Sequence, residues 1–376
     1  MQYRTLGRTG AQVSVIGLGA EHLVDKPQQV VDEVVAEALD HGVNYMDLFM
    51  AQAEVRSAIG KALGGRRDRM MVAGHLGACL APDGQYIRSR DLAQSKAHFE
   101  DLLTRLDTDY IDVLMLHFVD EPEDLDVVLE GPLALAKQLQ REGKARYIGM
   151  SSHVPAVAKR MVDTGNLDAL MFSMNPYFDT LPASTDIDTL FAGKPVGGGT
   201  DPMRLALYQA CEKMGCGIVV MKAFGAGVLL SPNNPAGMAM SPSQCIAYAL
   251  SRPGVSCCLA GCKTAEEMRQ ALHYLEATDE ERDYANVVAR AYTDMQGQCM
   301  YCNHCLPCPQ QLDIAALNRL GDAARHEGVN ERLRAAYGQM AHKADACIAC
   351  GACVRRCPFH VPVPEKMADT HALLGA

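Results

Sequence analysis

From Val13 to about Thr278, short apolar runs alternate with amphipathic stretches, and this alternation constrains the fold more than any other feature of the chain. The runs are VSVIG, VNYMD, MMVAG, YIDVLMLH, ARYIGMSS, ALMFSMN, GIVVMK and VSCCLAG. Between them lie stretches such as QQVVDEVVAEALDHG, SKAHFEDLLTRL and AEEMRQALHYLEA, with apolar residues at helical spacing. Several of the helical stretches close on Gly, the common residue just past a helix end. A strand apolar at nearly every position is covered on both faces, as in a parallel sheet with helical crossovers. Eight such units close on themselves, so the expected fold class is α/β, a (β/α)8 TIM barrel of about 250 residues. Segment 179–202, rich in Gly, Pro and Thr, interrupts the rhythm. It reads either as a long loop after the sixth strand on the active-site face or as a disordered insertion without a role.

The 376 residues exceed one barrel and leave room for a small second domain. The expected division is 1–285 for the barrel and 286–376 for the rest. A net charge of −10 argues against a nucleic-acid groove. No run of about eighteen apolar residues is present, so no membrane span is expected. The opening MQYRTLGRTG lacks the apolar core of a signal peptide, which makes the cytoplasm the expected compartment. Fifteen cysteines in a reducing compartment point to metal rather than disulfides.

Eight of the fifteen lie between Cys299 and Cys357. The second group, CIACGACVRRCP, places Cys347, Cys350, Cys353 and Cys357 in the spacing C-x2-C-x2-C-x3-C-P, the bacterial ferredoxin run for a [4Fe–4S] cluster. The first group, CMYCNHCLPCP, repeats it with one residue fewer before the last cysteine, at Cys299, Cys302, Cys305 and Cys308. Two clusters are expected. The expected ligation is crossed, Cys299, Cys302 and Cys305 with Cys357, and Cys347, Cys350 and Cys353 with Cys308, and local ligation is its alternative. In the local arrangement each run of four holds its own cluster. Structural zinc accepts paired C-x2-C, but the third cysteine at the same spacing and the following Pro belong to the cubane pattern. The stretch between the groups reads as helix, turn, helix. The other seven cysteines, scattered through the barrel, read as small buried apolar residues.

In a (β/α)8 barrel, chemistry sits at the C-terminal strand ends. Those ends carry Glu21 and His22, then Asp47, His75 and His117, then Ser151, Ser152 and His153, then Asn175 and Lys222. Asp, His and His at three successive ends form a convergent polar cluster. A metal held by these three is conceivable, although an Asp–His contact needs none.

Several phrases together resemble the aldo/keto reductase superfamily: YRTLGRTGAQVSVIGLG at the start, ALDHGVNYMD with AIGKAL, TDYIDVLMLH, and GKARYIGMSSH. PCPQQLDI and CPFHVPV in the tail are similar to the branch carrying a two-cluster ferredoxin-type module. The resemblance implies a tetrad of Asp, Tyr, Lys and His, in which Tyr protonates a carbonyl that NADPH reduces. Asp47 matches the Asp and His117 the His. The Tyr position holds Gln52 and the Lys position His75, so the acid and its tuning cation are both replaced. An amide has no accessible proton, whereas an imidazole at His75 can serve as an acid. The resemblance also implies NADP(H), with Ser151, Asn175 and Lys222 toward the cofactor and Lys263, Thr264 and Arg269 toward its 2′-phosphate. GLGAEH is not a Rossmann fingerprint.

The expected function is that of an iron–sulfur oxidoreductase. It would take a small-molecule substrate at the barrel top and exchange electrons with a ferredoxin or other redox protein. Two alternatives stand beside it: an NADPH-dependent carbonyl reductase with a substitute acid, and a non-catalytic electron-transfer subunit that docks a partner.

Overall fold

The computed structural model describes residues 1–179, 200–231, 239–291, 297, 299, 301 and 305–375. The barrel strands are β3 (Ile16–Gly19), β4 (Tyr45–Leu48), β5 (Met71–Leu76), β8 (Ile111–Leu116), β9 (Ala145–Ser152), β10 (Ala169–Ser173), β11 (Gly217–Met221) and β12 (Val255–Gly261). They close in the order β10-β11-β12-β3-β4-β5-β8-β9, with every pairing parallel. Each strand falls on one of the eight apolar runs, so the expected barrel is the observed one.

The first run is divided. Its start lies in β2 (Gln12–Ser14), which pairs antiparallel with β1 (Tyr3–Thr5), and the barrel strand begins only at Ile16. Ser14 turns the chain between the two, its hydroxyl donating to the Ile16 carbonyl (2.7 Å) and its amide to Asn44 Oδ1 (2.6 Å). Leu6 and Val13 then reach the barrel's inner layer, beside Tyr45, Ala73, Met115 and Val219. Alternate strand residues such as Val72, Leu114, Leu170 and Val220 face outward beneath the helices. Gly149 permits this inner packing, since a Cβ there would overlap the Met115 sulfur.

The helices around the barrel are α1 (Gln28–Asp40), α2 (Ala53–Leu63), α3 (Leu92–Arg105), α4 (Pro122–Glu130), α5 (Pro132–Arg141), α6 (Pro155–Asp163), α7 (Pro176–Asp179), α8 (Pro202–Met214), α9 (Pro242–Leu250), α10 (Ala265–Leu272) and α11 (Asp279–Arg282). Most of segment 179–202 lies outside the described residues. Its flanks meet, the Asp201 amide donating to the Asp179 carbonyl (2.7 Å). The seven scattered cysteines are buried, and burial pushes the Cys258 and Cys262 thiols up to about 12.

The tail holds α12 (Ala285–Ala291), α13 (Ile314–Glu327), α14 (Glu331–Gly338), α15 (Ala352–Arg356) and α16 (Val363–Leu374). The expected helix–turn–helix is α13 and α14, capped by Asp313 and Asn330, whose side chains accept from the amides of Ala316 and Leu333. Helix α13 packs along α16. The tail meets the barrel at the connection from α9 into β12. Arg319 donates to the Ser251 carbonyl (2.7 Å), and the Arg252 guanidinium stands 4.5 Å from the Tyr248 ring centre and 5.3 Å from that of Tyr301.

Candidate active site and metal centre

Asp47 and His75 project from the C-terminal ends of β4 and β5, and His117 follows the last residue of β8. Their side chains join in a line: His75 Nε2 lies 2.8 Å from Asp47 Oδ1, and His75 Nδ1 lies 2.7 Å from His117 Nδ1. All three residues are buried. The Phe49 ring stacks on His117 at 5.6 Å and meets His75 edge-on at 6.0 Å. Burial, assisted by the neighbouring His75 and Arg90, holds the His117 imidazole well below its ordinary 6.5, so the ring is neutral at neutral pH. Gln52 precedes α2 as its cap residue, and its side-chain carbonyl oxygen is buried without a partner among the described residues.

Sequence reasoning did not single out a fourth member. A hairpin of β6 (Ala78–Leu80) and β7 (Tyr86–Arg88) follows β5 and folds over the strand ends. It brings the Tyr86 hydroxyl into hydrogen bonding with His117 Nε2 and sets the Tyr86 ring edge-on to Phe49 and His117. Burial raises the phenol to about 12, against the opposing pull of Arg88 and Arg90. Arg90 fixes the hairpin's base. It forks onto both oxygens of Asp124 (2.7 and 2.5 Å) and donates to the carbonyls of His117 (2.9 Å) and Phe118 (3.0 Å). Gly77 permits the fold-over: its φ is +97°, and a Cβ there would lie 2.8 Å from the Ser89 carbonyl. The available sequence signal was APDGQ, an Asp-Gly turn between two short β-prone runs.

The hydrogen-bond inventory assigns one direction to this line when the histidines are neutral. His75 donates Nε2–H to the Asp47 carboxylate and therefore accepts at Nδ1. His117 donates Nδ1–H to it and accepts the Tyr86 hydroxyl at Nε2. Asp47, His75 and His117 form a chain rather than a cage. Among the described residues, no three His, Cys, Asp or Glu side chains converge on a single-ion position.

The remaining candidates lie around the barrel mouth. The Ser151 hydroxyl accepts from the Phe118 amide (2.8 Å). The Asn175 carboxamide accepts from the Phe178 amide and donates to the Lys222 carbonyl (both 2.8 Å), which ties the ends of β10 and β11 together. Thr264 caps α10 by accepting from the Glu267 amide (3.2 Å), and the Lys263 amide donates to Glu267 (2.6 Å). Arg269 is exposed and pairs with Glu37 (2.7 Å) and Glu266 (3.0 Å). His153 pairs with Asp120 (2.9 Å). Burial alone would raise the Asp120 carboxyl, but its bonds from His153 and Ser152 carry it below the ordinary value.

In the tail, Cys308, Cys347, Cys350 and Cys353 line one small pocket with Ile348 and Val363. Four thiols around an apolar space fit a cubane, whose irons each take one thiolate; ligands of a lone ion would crowd to a point. Cys302 lies outside the described residues. Of its group, Cys299 accepts a hydrogen bond from the Asn318 amide nitrogen (3.3 Å). Arg356, the neighbour of buried Cys357, donates to the carbonyls of Cys305 (2.6 Å) and Pro307 (2.8 Å), which laces the two cysteine runs together.

A closed parallel barrel with polar side chains gathered at its C-terminal strand ends is the architecture of the (β/α)8 enzymes. Residues 15–244 match the Aldo/keto reductase family, and the chain belongs to that family. Residues 342–363 match the 4Fe-4S binding domain, so the tail carries one. The chain is 27% identical over 304 residues to the uncharacterized oxidoreductase YqkF of Bacillus subtilis, covering 75% of this chain and 94% of that protein. It is 30% identical over 166 residues to L-galactose dehydrogenase of Arabidopsis thaliana, covering 40% of this chain and 48% of that protein. An aldo-keto reductase from Bacillus halodurans, solved in its holo form, superposes with a TM-score of 0.61 at 22% identity, covering 77% of this chain and 97% of the other. That likeness speaks to the fold. No helix among the described residues is long and apolar enough to cross a membrane.

Proposed function

We propose that this chain is an iron–sulfur oxidoreductase that acts on a small organic substrate at the C-terminal mouth of the barrel, with electrons passed through two [4Fe–4S] clusters in the tail. The observation that carries the reading is the shared cavity of Cys308, Cys347, Cys350 and Cys353. Three closely spaced cysteines of one run supply three corners of a cubane, and the last cysteine of the other run supplies the fourth. The reciprocal set is Cys299, Cys302 and Cys305 with Cys357. The Asn318 hydrogen bond to Cys299 suits a thiolate ligand, whose charge such donors offset. When bound, the clusters supply one-electron transfer. The barrel positions substrate and moves its proton, with Gln52 and His75 in place of the family's Tyr and Lys. The division between barrel and cluster module falls near 285–286, where α12 begins.

NADP(H) is the hydride carrier that this barrel type suggests, with Lys263, Thr264 and Arg269 toward its 2′-phosphate. Arg269 would exchange its exposed pairs with Glu37 and Glu266 for the phosphate, and exposed pairs of this kind are weak and easily exchanged. A ferredoxin or similar small protein is the electron partner.

Iron and sulfide analysis of protein purified without oxygen tests the reading. About eight of each per chain are expected, with an absorbance that dithionite bleaches. Cys308→Ala and Cys350→Ala should each retain about four irons, and the double variant should also retain about four, because both residues serve one cluster. A double variant stripped of iron would establish local ligation. Zinc without sulfide would remove the cluster reading altogether.

A further inference from the structure

The Asp47–His75–His117 line ends in a group that the reading above leaves unused. His75 has both ring nitrogens engaged, and its side chain is 1% exposed, so no substrate atom reaches it. His117 is nearly as buried, and its outer nitrogen is covered by the Tyr86 hydroxyl. Tyr86 alone among the four opens to solvent, at 42% exposure. Gln52 offers no transferable proton.

We propose that Tyr86 is a catalytic residue of this site, the group that exchanges a proton with the oxygen of a substrate alcohol or carbonyl, and that His117, His75 and Asp47 relay that proton. The proposal deepens the oxidoreductase reading above and rests on it.

In the oxidative direction the substrate hydroxyl gives its proton to Tyr86 Oη as Tyr86 passes its own to His117 Nε2. The His117 Nδ1 proton moves to His75 Nδ1. The carbon's hydride leaves for an oxidised nicotinamide nucleotide, so an alcohol becomes a carbonyl and the relay holds one added proton. That proton rests on His75 as an imidazolium against the Asp47 carboxylate, where opposite charge offsets it. In the reductive direction the loaded relay reverses every bond, His117 donates to Tyr86, and the phenol hydrogen turns outward to the carbonyl oxygen. A phenol held near 12 is a poor acid and a poor base alone. The relay removes the need for a free phenolate, because Tyr86 and His117 each gain a proton as they lose one and the added proton ends on His75. The hairpin that carries Tyr86 is clamped by Arg90, which holds the hydroxyl on His117.

Tyr86→Phe, in holoprotein prepared without oxygen, removes the hydroxyl and keeps the ring against Phe49. Histidine-selective nitrogen NMR should show the His117 Nε2 resonance moving when the hydroxyl is lost; an unmoved spectrum would overturn the proposal. With NADPH and a panel of short-chain aldehydes and ketones as probes, kcat should fall by about 10²–10⁴-fold, the usual worth of a positioned acid, with KM little changed. Wild-type kcat in the variant would also overturn it. Should the wild type turn over none of the panel, the NMR result decides alone. Iron content should be the same in both proteins. Failure of the relay therefore leaves the cluster reading standing, and absence of iron fails the cluster reading without touching the relay.

Discussion

His117 shows how far single residues can be read from sequence. Its place at the end of an apolar run identified it as a mouth residue, as it did Asp47 and His75, because a parallel strand turns from core to loop there. What spacing did not supply is the partner of each nitrogen, which depends on a hairpin folded back from another connection. The depressed imidazole has a measurable result. Below 6.5 the unfolded chain binds a proton that the folded chain refuses, so the stability held above that pH is lost progressively as the pH falls. The urea midpoint should therefore decrease between neutral pH and the range below 6.5, and His117→Asn should flatten that slope. An equal slope in the variant would place the dependence on other groups.

At the scale of elements, the eight barrel strands were legible because continuous apolar runs leave few alternatives to burial on both faces. The β6–β7 hairpin was not, because strands of three residues, β7 partly exposed, are too short to carry a hydrophobic pattern, and only the Asp-Gly turn marks them. Spacing alone marked the cysteine runs as candidate ligands, and residues 342–363, which hold the second run, match a 4Fe-4S binding domain. Crossed ligation was the expectation and local ligation its alternative; the pocket that Cys308 shares with Cys347, Cys350 and Cys353 supports the crossed set, a choice that spacing alone cannot make. The hairpin's dependence on Arg90 can be measured locally. Arg90→Ala removes hydrogen bonds between charged and neutral groups, each worth about 1.5–3 kcal/mol. Amide exchange at Ile87 and Ser89, which bond to Cys79 and Gly77, should quicken by roughly ten- to hundredfold while the barrel strands exchange as before. Unchanged exchange there would show that the hairpin holds its place without the clamp.

At the scale of the whole molecule, the tail meets the barrel at Ser251 and Arg252, which lead into the N-terminal end of β12, whereas Asp47, His75 and His117 sit at C-terminal strand ends. The seven residues of β12 rise by about 20 Å between those two faces. On the function proposed above, a redox protein docking on the iron module and a metabolite entering the mouth would approach from opposite poles, and neither would stand in the other's way. In steady-state kinetics the two should behave as independent occupants: saturating one leaves the apparent affinity for the other unchanged, and an inert analogue of the metabolite inhibits noncompetitively against the protein partner. Competitive inhibition between them would place both at one pole and turn the barrel from a spacer between two ports into a single shared doorway.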